Sequence, residues 1–451
     1  VIELSGKRVA IVGLGVSGLA AAQLALSRGA ALTLTDQKTE RELSPDSAAI
    51  VRDLASRGAR LALGGHATAK LSEQDLVVVS PGVPEVPEVR AAADHGVPVI
   101  GELELAVRAL AKPAPIVAIG GTNGKSTTTA LVGNLLQKGG LNAFVGGNLG
   151  EPLSAHADED WDIIVLEVSS FQLERAPTFR PRVSVLLNIT PDHLDRYASF
   201  DDYAHAKGNA FSQQTDTDLA VIPRDPVCER QARRGRGRIV TFGSGADIDV
   251  TAEAVVDRRS GASFPRASLP IAGEHNATNA AAAVAVAVEL GVSVADIAAG
   301  LSSFRGLPHR MVLVRELDGV RFYDDSKGTN VGASVTALRG LGEPRAVLIA
   351  GGRDKGGSYG PLVAALREKG RAAVLIGEAR RAIAEAIGDA VPVHEVTSLA
   401  DAVRLGHTLA LPGDAVLLSP ACSSYDMFRD YKHRGDEFVR EVTALRPREA
   451  P

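Results

Sequence analysis

Ile116-Val-Ala-Ile-Gly-Gly-Thr-Asn-Gly-Lys-Ser-Thr-Thr-Thr129 is the stretch whose reading decides the architecture. Ile116, Val117, Ala118 and Ile119 form an apolar run of strand length. A glycine-rich turn follows, then Lys125, Ser126 and Thr127, then a helical run from Thr128 to Gln137 that Gly139 and Gly140 end. Strand, glycine turn and helix, in that order, present turn amides and a helix N-terminus to phosphate oxygens. Lys125 would add positive charge near the outer phosphates of a nucleoside triphosphate, and the Ser126 hydroxyl suits a Mg²⁺ ligand. The competing reading is a plain strand–helix connection with an exposed lysine. The general phosphate loop has a glycine five positions before its Gly-Lys pair. Ile119 stands there, so the loop is the shorter Gly121-Thr-Asn-Gly-Lys-Ser126.

Around this loop, 451 residues leave room for three domains at about 150 residues each. The chain is 45% apolar and 23% charged but only 4% aromatic, so Ala, Val, Leu and Gly must fill its interior. That suits α/β layers around buried parallel strands. A net charge of −5 makes no electrostatic case for nucleic acid or an anionic membrane as partner. Cys228 and Cys422 stand far apart without metal-ligand spacing, as expected of inert thiols in a reducing cytoplasm. Arg8-Val-Ala-Ile-Val-Gly13 reads as a strand rather than a signal peptide, and no apolar run has the length to span a bilayer.

Before the loop, Lys7 to Val12 predicts a strand, Gly13-Leu-Gly-Val-Ser-Gly18 a turn, Leu19 to Ser27 a helix ended by Gly29, and Ala31 to Thr35 a second strand closed by Asp36. The physics asks for a diphosphate near that helix N-terminus, with Asp36 placed for a ribose hydroxyl. A UDP-sugar satisfies this as well as NAD does, and glycines kept only for tight helix–strand packing are a third reading. Leu76 to Ser80 is a third strand running into Pro81-Gly82, and Val97 to Ile100 a fourth. The first domain is expected to close between Glu102 and Lys112.

After the loop, Asn142 to Val145 is strand-like, and Asp162 to Ser170 is a buried strand with one acid, Glu167, at its C-terminal end. A buried acid needs a partner or a cation, and Mg²⁺ is the natural one beside a phosphate loop. The alternative is a strand-end carboxylate that reaches solvent. Val183 to Ile189, another strand, opens into Thr190-Pro-Asp-His-Leu-Asp-Arg-Tyr197, which places His193 at the same sheet edge. Asp201 to Phe211 is helical, and Lys207 reads there as a lysine on a solvated face. The basic run from Arg230 to Arg238 is expected to be an exposed loop or edge without chemistry. Gly273 and the polar residues after it start an Ala/Val helix, Ala280 to Leu290, and offer donors to a base or ribose, or simply an N-cap cluster. Gly306 to Met311 reads as a linker. Four strands then open into polar or glycine-rich loops: Arg321 to Asp325, Ala346 to Ala350, Ala373 to Ile376 and Ala415 to Pro420. Lys327 and Lys355 in those loops suit carboxylate or phosphate ligands at the edge of a second doubly wound sheet.

Taken together, Gly121 to Thr127, Glu167-Val-Ser-Ser-Phe-Gln-Leu-Glu174, Asn188-Ile-Thr-Pro-Asp-His-Leu-Asp-Arg196, His275-Asn-Ala-Thr-Asn279, His309-Arg310, Asp324-Asp-Ser-Lys-Gly-Thr-Asn330 and Ser419-Pro-Ala-Cys-Ser-Ser424 resemble the Mur ligases over the whole chain. The shortened phosphate loop is that family's own version. Glu167 to Leu173 and Ser419 to Cys422 are most similar to the D-glutamate-adding branch. Gly352-Arg-Asp-Lys355 stands where the diaminopimelate- or lysine-adding branch has an Asp-Asn-Pro-Arg-type motif.

The resemblance implies an α/β fold in three domains: a Rossmann-like N-terminal domain (1–103), a central P-loop ATPase-like domain (104–306) and a Rossmann-like C-terminal domain (307–451). It implies a monomeric cytoplasmic ligase of peptidoglycan precursor synthesis that forms an amide through an acyl phosphate. UDP-N-acetylmuramoyl-L-alanine would meet Val16 and Ser17 at its diphosphate, Asp36, Gln37, Lys38 and Gly82 at its uridine end, and Asn148 near the muramoyl-alanine. ATP would meet Gly121, Thr122, Asn123, Gly124, Lys125, Ser126 and Thr127, with Asn276, Asn279, Arg310 and Asp325 on the nucleotide. Two Mg²⁺ ions would be held by Ser126, Glu167, His193 and a carbamylated Lys207; Lys125, Glu167, His193 and Lys207 would form the catalytic set. D-Glutamate would meet Lys327, Thr329, Lys355, Ser424 and Tyr431, the last standing where the family has Phe. The rivals are a folylpolyglutamate synthetase-type ligase of the same superfamily, an NAD-dependent oxidoreductase resting on Gly13 to Gly18 alone, and a nucleotide-sensing module without catalysis.

Overall fold

The first strands build a parallel five-stranded sheet: β1 (Arg8–Val12), β2 (Ala31–Asp36), β3 (Arg60–Leu63), β4 (Leu76–Val79) and β5 (Val99–Gly101), in the order β3-β2-β1-β4-β5. The molecule is a computed structural model that describes residues 2–194, 196–271, 273–354 and 358–448. Strand order reverses between β1 and β4, which opens a crevice at their C-terminal ends. Gly18 sits where helix Val16–Ser27 crosses the turn after β1, and a Cβ there would fall 1.8 Å from the Gly13 carbonyl oxygen. Only glycine permits that approach.

The central sheet has nine strands: β6 (Ile116–Gly120), β7 (Ala143–Gly147), β8 (Ile163–Glu167), β9 (Val183–Leu186), β10 (Leu219–Pro223), β11 (Arg238–Gly243), β12 (Ile248–Val250), β13 (Ala254–Asp257) and β14 (Ser263–Pro265). Their order is β14-β13-β12-β11-β10-β9-β6-β8-β7, parallel from β7 to β12 and antiparallel through β13 and β14. Fully apolar β6 is buried on both faces, as a central parallel strand must be. Helices Lys125–Lys138 and Glu274–Glu289 pack together over one face; in the second, Ala280 to Ala287 are all buried, and their small side chains allow close approach.

The third sheet comprises β15 (Val312–Leu317), β16 (Val320–Asp324), β17 (Ala346–Gly351), β18 (Gly370–Ile376), β19 (Val393–Glu395) and β20 (Ala415–Leu418), ordered β15-β16-β20-β17-β18-β19. All pairs are parallel except β15 with β16. The three α/β lobes and their order along the chain agree with the expected fold class.

Three local expectations need correction. The basic run from Arg230 to Arg238 is a loop at 233–237, one of its two expected readings, but no edge: it leaves helix Pro226–Ala232 and enters β11, an interior strand between β10 and β12. Its arginines escape burial because they lie at helix and strand ends, where Arg238 pairs with Glu289 at 2.6 Å. The helix after the phosphate loop begins at Lys125, three residues before Thr128. The third sheet has six strands, two more than expected: β19 is only Val393-His-Glu395, and β15 opens with Val312-Leu-Val314 but turns polar at Arg315 and Glu316. Among the described residues no helix is long and apolar enough to cross a membrane.

Candidate active site

A cavity of 540 Å³ fills the crevice of the first sheet and runs on to the central one. Gly13 to Ser17, Asp36, Gln37 and Ser80 to Pro84 line one side; Gly147, Asn148, Gly150 and Gln172 line the other. Of the residues expected at the UDP-substrate, Val16, Ser17, Asp36, Gln37, Gly82 and Asn148 border this space, and Lys38 does not. Asp36 is oriented by backbone amides: Leu14 N–H donates to Oδ2 at 2.7 Å and Lys38 N–H to Oδ1 at 2.9 Å. Ser80 Oγ donates to the Gly13 carbonyl at 2.7 Å and so ties the end of β4 to the turn after β1.

At the far end of the cavity, Asn148 donates to Glu167 Oε1 at 2.7 Å. Glu167 ends β8 and is buried, yet its Oε2 has no hydrogen-bond partner. Burial pushes this carboxyl up, but the ammonium groups of Lys125 and Lys327, with Ser126 and Asn148 beside it, hold it below the usual range. An ionised, half-satisfied carboxylate next to a phosphate loop is a donor set suited to a hard divalent cation. Among the described residues no group of three or more His, Cys, Asp or Glu side chains is gathered to hold a metal by itself. The arrangement therefore suits Mg²⁺, which keeps waters and takes ligands from substrate phosphates, rather than an all-protein cage.

The phosphate loop is held from both sides. Asn123 and Asn188 clasp reciprocally: Asn123 N–H donates to Asn188 Oδ1 at 2.9 Å, and Asn188 Nδ2 donates to the Asn123 carbonyl at 3.0 Å. Thr122 Oγ1 lies 3.1 Å from the Tyr203 hydroxyl and accepts from Thr190 N–H at 3.1 Å. Gly124 has φ +87°, and a Cβ there would come within 2.5 Å of Asn279 Oδ1. Asn276 and Asn279, bonded at 3.4 Å, thus stand against the loop. Lys125 turns back on the loop and donates to the carbonyls of Gly121 at 2.9 Å and Thr122 at 2.8 Å. Burial pushes its ammonium down, against the pull of Glu167 and Asp192.

Lys207 is not on a solvated face. It is 3% exposed, donates to the same Gly121 carbonyl at 2.7 Å, and lies 4.6 Å from the centre of the Tyr203 ring. Burial and the nearby Lys125 charge push its ammonium well below the ordinary lysine value. The reason lies in helix Phe200–Gly208: Phe200, Tyr203, Ala204 and Lys207 share one stripe, from which Tyr203 and Lys207 meet the phosphate loop at Thr122 and Gly121. That spacing was the available signal; the flanking Asp201, Asp202 and His205 masked it. His193 has φ +55° and packs 4.9 Å from Phe171 and 6.2 Å from Tyr203, ring centre to ring centre.

From the third lobe, Lys327 donates to the Tyr431 hydroxyl at 3.2 Å and lies 4.3 Å from that ring's centre, and its charge reaches Glu167. Tyr431 therefore offers both a ring and a polar tip where a Phe would offer only the ring. Asp325, buried, accepts from Ser419 Oγ at 2.7 Å; burial pushes its carboxyl up to about 7, against Ser419 and Arg310. Arg310 Nε is buried without a partner. Ser424 is buried after β20, and Thr329 follows Lys327 in the turn after β16. Lys355 lies outside the described residues. Two residues given no role from the sequence join the lobes: Asn330 Nδ2 donates to Asn123 Oδ1 and to Asp192 Oδ2, each at 3.2 Å. Both stand inside the quoted motifs, but neither motif shows that they meet, because the contact is made between distant lobes.

Family models cover most of this architecture: Mur ligase MurD-like, N-terminal domain, over residues 7–101; Mur ligase middle domain over 119–287; and Mur ligase, glutamate ligase domain, over 309–422. The chain is 45% identical, over 99% of its length and 98% of the relative's, to the UDP-N-acetylmuramoylalanine--D-glutamate ligase of Desulfosudis oleivorans. It is 46% identical, over 98% of its length and 99% of the relative's, to the protein of the same name from Syntrophotalea carbinolica. The crystal structure of a UDP-N-acetylmuramate-alanine ligase from Thermotoga maritima shares its fold, with a TM-score of 0.62 at 21% identity over 97% of this chain and 99% of that one. The chain belongs to the Mur ligase family.

Proposed function

We infer that this chain is an ATP-dependent ligase that joins D-glutamate to UDP-N-acetylmuramoyl-L-alanine, a step of peptidoglycan precursor synthesis. Relatives of that name align with it from end to end, which also disfavours a folylpolyglutamate synthetase-type acceptor. In this reading residues 1–103 bind the UDP-substrate, 104–306 bind ATP and 307–451 bind the amino acid, in a monomeric cytoplasmic enzyme. The observation that carries the assignment is the continuous path from the 540 Å³ cavity through Asn148 and Glu167 to Lys125 and Lys327. It lets the acid end of one substrate, the phosphate loop and the amino-acid lobe share one place.

The substrate carboxylate attacks the γ-phosphate and yields an acyl phosphate and ADP; the D-glutamate amine then attacks the acyl carbon, and phosphate leaves. Val16 and Ser17, at the start of helix Val16–Ser27, offer the diphosphate a helix N-terminus, while Asp36, Gln37 and Gly82 bound the uridine end. Asn148 holds the acid end beside Glu167. Lys125, free of carbonyl partners once phosphate displaces them, follows charge onto the transferring group. Ser126, Glu167, His193 and a carbamylated Lys207 would hold two Mg²⁺ ions, which neutralise the charge of the phosphoryl transfer. Carbamylation requires a neutral amine, and the burial of Lys207 beside Lys125 favours that form. Asn276, Asn279, Arg310 and Asp325 surround the nucleoside, and Lys327, Thr329, Lys355, Ser424 and Tyr431 receive D-glutamate. Phosphate release, measured across acceptors and amino acids, tests the reading. Release that needs UDP-N-acetylmuramoyl-L-alanine and D-glutamate together, and that Lys125→Ala abolishes, is expected. Release with a folate and L-glutamate instead would overturn it.

A further inference from the structure

Asn330 ends the loop after β16 and caps helix Val331–Gly340, where its Oδ1 accepts from Ala333 N–H at 2.8 Å. An N-cap needs only that oxygen. The Nδ2 of the same carboxamide leaves its own lobe and donates to Asn123 Oδ1 and Asp192 Oδ2. Neither acceptor is a casual surface group. Asn123 is the middle of the phosphate loop and is clasped by Asn188 at the end of β9. Asp192 accepts from the His193 amide at 3.0 Å, and its Oδ2 lies 3.7 Å from His193 Nε2. Around it, a Cβ on Gly332 would already come within 3.2 Å of Asn123 Nδ2, so the helix N-terminus is seated against the loop.

We propose that Asn330 is a positioning residue that latches the C-terminal lobe to the phosphate loop and to Asp192, fixing Lys327 and Arg310 in register with Lys125 and Glu167. One side chain reads both partners at once: its oxygen orders its own helix, and its nitrogen reports whether the nucleotide loop is in place. The latch acts through Asn123 and Asp192 and touches no reacting atom. Its kinetic consequence rests on the ligase reading above; its structural consequence does not.

The test uses the full chain with Asn330→Asp and Asn330→Ser. Both keep an N-cap oxygen, and both lose the carboxamide N–H: Asp has no donor, and the Ser hydroxyl is too short to cap its helix and reach the other lobe at once; Asp also faces Asp192 with like charge. The latch predicts that kcat/KM for D-glutamate falls about 10- to 100-fold, the scale of a lost hydrogen bond to a carboxylate. Thermal stability stays at the parent level, as does the affinity for UDP-N-acetylmuramoyl-L-alanine, whose cavity the first two lobes enclose. Small-angle scattering of the ligand-free variants gives a larger radius of gyration than the parent. Pairing Asn330→Asp with Asp192→Asn reverses donor and acceptor, and the double variant outperforms the product of the two single effects. Parent-like kinetics and scattering in both single variants would reduce Asn330 to a helix cap and overturn the proposal, as would strict additivity in the cycle. If the parent chain releases no phosphate with these substrates, the ligase reading fails, and the scattering comparison still decides the latch.

Discussion

Two amines, Lys125 and Lys207, donate to one carbonyl oxygen, that of Gly121. Two ammonium charges crowded onto one acceptor away from water are unfavourable, and burial pushes both amines down, Lys207 further than Lys125. A neutral buried amine is a nucleophile for CO₂. Native mass spectrometry in bicarbonate buffer should show one CO₂ adduct per chain that Lys207→Ala removes, and that variant should lose about 10²-fold or more in turnover. Asp325 gives a second residue-level expectation. Its carboxyl titrates at 3.8 unfolded and at about 7 in the fold, so the folded chain binds this proton more tightly. Its contribution to stability is full below the unfolded value and is lost as pH rises through about 7, by at most about 1.4 kcal/mol per pH unit. Asp325→Asn should therefore match the parent below about pH 4 and exceed it increasingly up to about pH 7 in chemical denaturation of the ligand-free protein. A parent-like pH profile in that variant would show Asp325 ionised in the fold. Lys125 and Ser126 were legible from local spacing, because a phosphate loop is built from consecutive residues. Lys207 and Asn330 were not, because their partners, Gly121, Asn123 and Asp192, are supplied by other elements.

At the scale of elements, legibility followed burial. β1, β4, β6, β8 and β17 are apolar on both faces and declare themselves as continuous runs. The three-residue strands β12 and β14, with β13 between them, carry Asp, Ser and Pro and pair only at the margin of the central sheet, so no period marks them. The turn from β1 into helix Val16–Ser27 was readable, but two ligand readings and a packing reading fitted it, because the cavity that runs from it to Asn148 is built by another sheet. Gly18 carries that turn. In Gly18→Ala the new methyl meets the Gly13 carbonyl and Ser80 Oγ, 1.8 Å and 2.4 Å from its ideal position, so helix and turn must separate. The cost is about 1–3 kcal/mol of stability. Calorimetric titration should show a loss of UDP-substrate affinity larger than any loss of MgATP affinity, since the phosphate loop lies on another sheet.

The whole molecule is not three equal beads. One hydrophobic cluster runs from the first sheet into the central one, joining Leu19, Leu103 and Ala106 to Phe144, Leu153 and Phe179. Helix Glu102–Ala109 bolts that junction: buried Glu102 accepts from the Ser154 amide at 3.0 Å and buried Glu104 from the Thr178 amide at 3.2 Å. The C-terminal lobe keeps two clusters of its own on the faces of its sheet. His309, at the end of the linker, already belongs to that lobe, through its 2.7 Å contact with Asp324 and its packing on Gly435. Shared apolar burial makes two lobes unfold as one unit, whereas hydrogen bonds and a coil segment leave the third to unfold separately. Calorimetry of the ligand-free chain should thus resolve two transitions, and brief trypsin treatment should cut first after exposed Arg305, in the coil between helix Val294–Ser303 and β15. UDP-N-acetylmuramoyl-L-alanine at a hundredfold excess over its Kd should stabilise only the larger unit, by about 2.7 kcal/mol. MgATP, which on the proposed reading meets both Lys125 and Arg310, should raise the smaller one toward it and protect Arg305. A single transition that the UDP-substrate alone shifts as a whole would mean that the C-terminal lobe is bound as firmly as the other two, and that lobe closure is not the step nucleotide controls.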